Sequence, residues 1–122
     1  MKRIYNRDHL FQVLEESLNE IYIFDAETLQ FVYVNRGALR NIGYSLDQMR
    51  QMTPLSIKPE FDLETFEEVI EPLRSGQKDN ITFETVHKRS DESLYSVEVH
   101  LQLVQDVSSP LFLAIILDIT DR

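Results

Sequence analysis

Leu111-Phe-Leu-Ala-Ile-Ile-Leu117 decides the architecture. These seven apolar residues fall far short of the roughly 20 that a membrane helix needs, so the run reads as a strand. It shows no polar alternation, so both of its faces must be covered and it belongs in the middle of a sheet. The stretch before it behaves differently. From Ser93 to Val104, Tyr95, Val97, Val99, Leu101 and Leu103 alternate with Leu94, Ser96, Glu98, His100 and Gln102, which leaves one face largely wet. Asn80 to Lys88 is its hairpin partner around Arg89-Ser-Asp-Glu-Ser93, and the turn Val107-Ser-Ser-Pro110 leads into a last strand over Leu111–Thr120. Near the start, Ile21-Tyr-Ile-Phe24 also lacks alternation and reads as a second buried strand. Asp25-Ala-Glu-Thr28 turns it into Leu29-Gln-Phe-Val-Tyr-Val34.

Helices fill the rest. A first one is expected over roughly residues 9–19, capped by Asp8, with Leu10, Phe11, Leu14 and Leu18 on one face and Val13 at its margin. Asn35 caps a short helix that Gly43 ends, and Ser45 with Gln48 forms a capping box for another. Pro54 and Pro59 punctuate an irregular stretch. Asp62 then caps a longer helix with Leu63, Phe66, Val69, Ile70 and Leu73 on one side. Pro72 should kink or end that helix, because it has no N–H for the Glu68 carbonyl, and Gly76 closes the element. The pattern is β-β, helices, β-β-β: an α+β domain with an antiparallel sheet and helices on one face. Its other face needs cover from the first helix or a second subunit.

Composition removes several functions. The chain has 122 residues and a formal net charge of −9, which disfavours nucleic acid and anionic lipid as partners. It has no Cys, hence no disulfide, thiolate metal site or Cys nucleophile. Asp8, Glu15 and Glu16 near the start, with no small-residue cleavage site, argue against a secretory leader. A soluble domain of a reducing, cytoplasmic compartment is expected, cut from a longer chain, since a sequence stopping at Arg122 just after an apolar strand is an odd whole.

Five stretches, taken in order, resemble the PAS sensory-domain family: Ile21 to Asn35, the Gly43-Tyr44-Ser45 region, Thr53 to Phe61, Phe83 to Gln102, and Asp118-Ile119-Thr120. The resemblance spans nearly the whole chain. It implies a five-stranded antiparallel sheet in the order 2-1-5-4-3, with residues 1–20 as an added N-terminal amphipathic helix and 21–122 as the PAS domain. Two positions depart from the family pattern. Glu92 stands where a turn glycine is usual, and Ser108-Ser109 where one is frequent, so looser hairpins are expected.

The resemblance also implies a ligand cavity between the inner sheet face and the helices. Its wall would comprise Tyr22, Phe24, Leu39, Ile42, Phe66, Ile70, Phe83, Val97 and Val99, with the Tyr22 or Tyr44 hydroxyl orienting a small apolar or aromatic molecule. The same residue types fill an ordinary core, and the sequence leaves both readings open. Asp118 and Thr120 would mark the signal exit toward a C-terminal effector, or simply cap the strand. No cofactor is identified. The absent Cys excludes a Cys-adduct flavin and a coumaroyl chromophore, and the helix after Asp62 lacks the His that a haem would use.

The remaining candidates carry less. Glu64, Glu67, Glu68 and Glu71 share a helix face but lack the loop and glycine of a calcium site, so no metal is expected. His9, His87 and His100 are scattered; a pH-responsive role for His87 is conceivable, but a structural one is the expectation. No nucleophile motif or phosphate loop marks an enzyme. Two functions remain. One is a bacterial sensory module that reads a small ligand and acts on a diguanylate cyclase or histidine kinase. The other is a ligand-free dimerisation and relay module pairing through Leu10, Phe11, Leu14 and Leu18. A homodimer fits either.

Overall fold

The computed structural model describes residues 6–105 and 108–120. The unbroken apolar run is β5 (Leu111–Asp118), and it lies between β1 (Glu20–Asp25) and β4 (Leu94–Val104) at the centre of one antiparallel sheet. β2 (Phe31–Val34) and β3 (Ile81–Lys88) form the edges, giving the order 2-1-5-4-3. The first residue of the turn expected at 107–110 lies outside the described residues, as do residues 1–5 of the N-terminal segment.

Strand register decides which side chains face the core. Tyr22 pairs with Ala114 and Phe24 with Phe112; Val99 pairs with both Ile116 and Phe83. Facing partners share a sheet face, so these residues form one apolar inner surface. Over it pack α2 (Arg36–Ile42), α3 (Leu46–Met49), the 3-10 turn η1 (Pro54–Ile57) and α4 (Leu63–Arg74), through buried Ala38, Ile42, Met49, Ile57, Phe66, Ile70 and Leu73. The caps expected from the sequence hold these elements. Asn35 caps α2, Ser45 and Gln48 form the capping box of α3, and Asp62 with Thr65 forms that of α4.

Asn35 does more than cap. It is fully buried, and its Oδ1 accepts from the Ile21 and Ala38 amides while its Nδ2 donates to the Leu14 and Asn19 carbonyls. One side chain thus ties the end of α1 (Arg7–Glu16), the start of β1 and α2 together.

Four expectations need correction. α1 starts earlier and stops earlier than 9–19, because Asn6 rather than Asp8 accepts from the His9 amide and Ser17 caps the other end. Leu18 therefore lies beyond the helix, fully exposed, and does not extend the stripe of Leu10, Phe11 and Leu14. Pro72 does not end α4, which runs to Arg74: it sits in the last turn, and the Ser75 amide still reaches the Glu71 carbonyl at 2.9 Å. The β3–β4 turn is closed rather than loose. Glu92 takes the left-handed conformation (φ 72) that a glycine would take more easily, the Arg89 amide reaches the Ser93 carbonyl, and Asp91 accepts from the amide and hydroxyl of Ser93.

α1 stands apart from the helical layer. Phe11 meets Tyr33 edge-on at 5.5 Å, and Glu15 accepts from the Tyr33 hydroxyl and the Arg36 amide. Tyr33 is paired with Ile23 on the outer sheet face. Much of α1's apolar surface remains open, with Leu10, Phe11 and Val13 each about half exposed.

Candidate functional site

The gap between sheet and helices contains a small cavity. β1, β4 and β5 contribute Tyr22, Phe24, Val99, Leu101, Ala114 and Ile116; β2 and β3 add Phe31, Phe83 and His87; the η1 segment brings Pro54, Ile57 and Lys58; and α4 brings Phe66. Space open to the centre of a water molecule amounts to about 10 Å³, enough for about one water. Of the ten residues that the resemblance implied for this wall, Tyr22, Phe24, Phe66, Phe83 and Val99 line it. Ile42, Ile70 and Val97 are instead fully buried in close-packed core, and Leu39 and Tyr44 sit half-buried at its margin. Facing inward sets the layer a side chain joins, whereas the cavity occupies only one part of that layer.

The wall carries two polar groups that sequence reading did not bring together. Lys58, directly after η1, is buried, and its Nζ lies 2.5 Å from Nε2 of His87 on β3. An ammonium only donates, so with Lys58 charged Nε2 accepts and the ring proton resides on Nδ1. Nδ1 has no partner. Burial pulls the Lys58 amine down to about 7, a nearby Glu20 charge working in the other direction. Burial, together with the Lys58 charge, drives His87 well below the ordinary imidazole range. Lysine is among the residues least often buried, so its residue type argued against this placement. The only hint was the lysine's setting in an apolar, proline-bounded segment, Pro54 to Pro59.

Behind His87 the polar contacts continue. Its ring meets Tyr22 and Tyr95 edge-on at 6.0 and 5.8 Å, and both phenols donate to Glu20 Oε1 at 3.1 Å. Asn41 donates to Oε2 at 2.8 Å. Burial raises Glu20 despite these donors, and desolvation raises both tyrosines. Glu20 is thereby fully engaged on its own side of the cavity.

At the other end of β5, Asp118 accepts from the amide and hydroxyl of Thr120, and the Ile119 amide bonds the Ser96 carbonyl at 3.0 Å. β5 thus passes from the cavity wall at Ala114 and Ile116 to this hydrogen-bonded strand end within four residues. His9 and His100 are exposed, whereas His87 is buried. Among the described residues no three metal-ligating side chains converge, and no helix is long and apolar enough to cross a membrane.

The PAS domain family model matches residues 19–121. Among solved structures, the PAS domain of an HTR-like protein from Haloarcula marismortui is 28% identical with a TM-score of 0.80, covering 92% of this chain and 96% of its own. A PAS domain from a two-component sensor histidine kinase is 22% identical with a TM-score of 0.77, covering 91% and 94%. A domain of the sensory box sensor histidine kinase/response regulator from Geobacter sulfurreducens is 19% identical, TM-score 0.77, covering 91% and 92%. No curated protein matches the sequence.

Proposed function

The chain belongs to the PAS domain family, and we propose that it is a sensory module that reads a small ligand in the cavity under the sheet. The signal passes along β5 to a C-terminal effector, a histidine kinase or diguanylate cyclase, in a larger cytoplasmic protein. The observation that carries this reading is the dual position of β5. The strand lines the cavity through Ala114 and Ile116 and ends at the Asp118–Thr120 cap. The outer face of β5 (Leu113, Ile115, Leu117) is only partly covered, contrary to the sequence expectation, but its inner face is packed and both its edges are hydrogen-bonded to neighbouring strands, so it has little freedom to absorb a change in its packing and a displaced wall is transmitted to its end. The module itself is read as non-catalytic.

Native mass spectrometry of the freshly purified chain, repeated after denaturation, tests the ligand. The reading expects added mass that disappears on denaturation and is absent from Val99→Phe, whose larger ring fills the cavity. A clean mass for the wild type, at every concentration at which the protein is folded, counts against ligand sensing.

The half-exposed apolar stripe on α1 favours a second reading, a homodimer that relays through subunit packing. Symmetric pairing would bury Leu10, Phe11 and Leu14 in both copies at once. Sedimentation of Phe11→Glu tests this: the second reading requires a wild-type dimer and a dissociated variant.

A further inference from the structure

The two edges of the sheet are protected differently. β2 is only four residues long, and its register against β1 breaks between Ile23 and Phe24. β3 runs eight residues in unbroken register with β4 and contains no Pro. Its hairpin shows which backbone groups point to the open side. The Arg89 amide bonds the Ser93 carbonyl, and backbone direction alternates along a strand, so Phe83, Thr85 and His87 turn their N–H and C=O groups to β4. Thr82, Glu84, Val86 and Lys88 turn theirs outward, where no backbone group meets them among the described residues. The Ser90 amide, next in this series, is taken by the Ile42 carbonyl, which ends the open run. A long, regular strand edge of this kind is a template for another strand.

The side chains on that edge say which strand it fits. Glu84, Val86 and Lys88 share the outer sheet face, since their β4 partners Glu98, Ser96 and Leu94 lie outside the core. Glu84 thus faces another carboxylate, and like charges directly opposite destabilise a sheet. Neither Glu84 nor Lys88 has an ion pair among the described residues, where the pairs are Arg74 with Glu67 and His100 with Glu98. We propose that β3 pairs edge to edge with β3 of a second copy of this chain, antiparallel and centred on Val86. A two-fold axis there sets Glu84 opposite the partner's Lys88 and Lys88 opposite the partner's Glu84, with the two valines in contact between them. All three pairs are of the kind that exchanges both backbone hydrogen bonds. Neighbouring registers fail. Centring on Glu84 or Lys88 sets like charges face to face, and centring on Thr85 or His87 sets a charge against Val86. The net charge of −9 opposes any self-association at long range, but at about 0.15 M salt screening confines that repulsion to about 8 Å, and the cross-strand pairs act inside it. Leu10, Phe11 and Leu14 take no part, so this surface is separate from the α1 stripe.

Backbone amide NMR over a dilution series from about 1 mM protein, at that salt, reads the pairing. The proposal expects the Glu84, Val86 and Lys88 amides to shift with concentration, and those of Phe83, Thr85 and His87, already bonded to β4, to shift less. Glu84→Lys and Lys88→Glu should each weaken the association at least about tenfold, because both cross-strand pairs turn repulsive. An equimolar mixture of the two variants should restore it, since opposite charges then meet again across the junction. Glu84→Lys also relieves the repulsion from Glu98, so its loss of association is not a loss of fold. Three results would each overturn the edge pairing: no concentration-dependent shift at these amides, shifts confined to residues 10–14 of α1, or a mixture of the folded variants that associates no better than either alone. The second of these would favour pairing through α1 instead.

Discussion

Replacing Lys58 by Met should make the folded protein more stable, and the structure sets the size of the gain. Burial takes the Lys58 amine from its ordinary 10.5 to about 7. At neutral pH that gap corresponds to a cost of roughly 5 kcal/mol relative to a solvated lysine. Methionine keeps the unbranched apolar stem and removes the charge. It also removes the bond to His87 Nε2 and leaves that atom unsatisfied, which costs about 2 kcal/mol. The expected net gain is therefore about 2–3 kcal/mol, or roughly 10 °C in melting temperature for a domain of this size. The pH dependence is more diagnostic than the magnitude. Between about pH 7 and 10 the unfolded chain binds a proton at Lys58 that the folded chain does not, so wild-type stability rises with pH across that window. Below pH 6.5 stability falls further, since His87 stays neutral in the fold while its unfolded counterpart protonates. Urea denaturation of both proteins at pH 6, 7, 8 and 9 reads these trends. Lys58→Met should be more stable at pH 6 and 7, lose the rise between pH 7 and 9, and so come level with wild type near pH 9. A variant no more stable than wild type, with the same slope, would mean that Lys58 is solvated and would refute the argument.

Other perturbations address single contacts. Glu92→Gly should stabilise by about 0.5–1 kcal/mol in thermal melts, because relieving a left-handed non-glycine residue outweighs the added freedom of the unfolded chain. Gly43→Ala should destabilise by about 2 kcal/mol: φ is +88°, and the new Cβ would fall 2.4 Å from Ser90 Oγ, which itself donates to the Gly43 carbonyl. Pairing it with Ser90→Ala should recover part of the loss in the same assay. Asn35→Ala should cost at least about 3 kcal/mol by urea titration, since it abandons two buried amides and two carbonyls on three elements.

The fold was legible because its decisive signals are local. A strand with no polar alternation must be central, and β5 is; Asn35, Ser45 with Gln48, and Asp62 each announce a helix start within four residues. Where the sequence misled, two local signals competed. Asp8 and Asn6 are both sound caps, and only the chain's path decides for Asn6; Pro72 breaks helices in their interiors but is tolerated in a last turn. The site was less legible because it is assembled from distant segments. Residues 58 and 87 meet only when the η1 segment folds over the edge strand β3, and nothing near either one in sequence points to the other. Alternation placed Val97 and Val99 on the same inward face, yet Val99 lines the cavity and Val97 packs solidly. Sequence periodicity resolves a face but not a position along it.

The most direct test of the account compares backbone amide NMR spectra of the chain as purified with those of the same chain stripped by denaturation and refolding. Sensing through β5 predicts shifts at Lys58 and His87 that continue through Ala114 and Ile116 to Ile119 and Thr120. Shifts confined to the cavity wall, with Asp118–Thr120 unchanged, would contradict it.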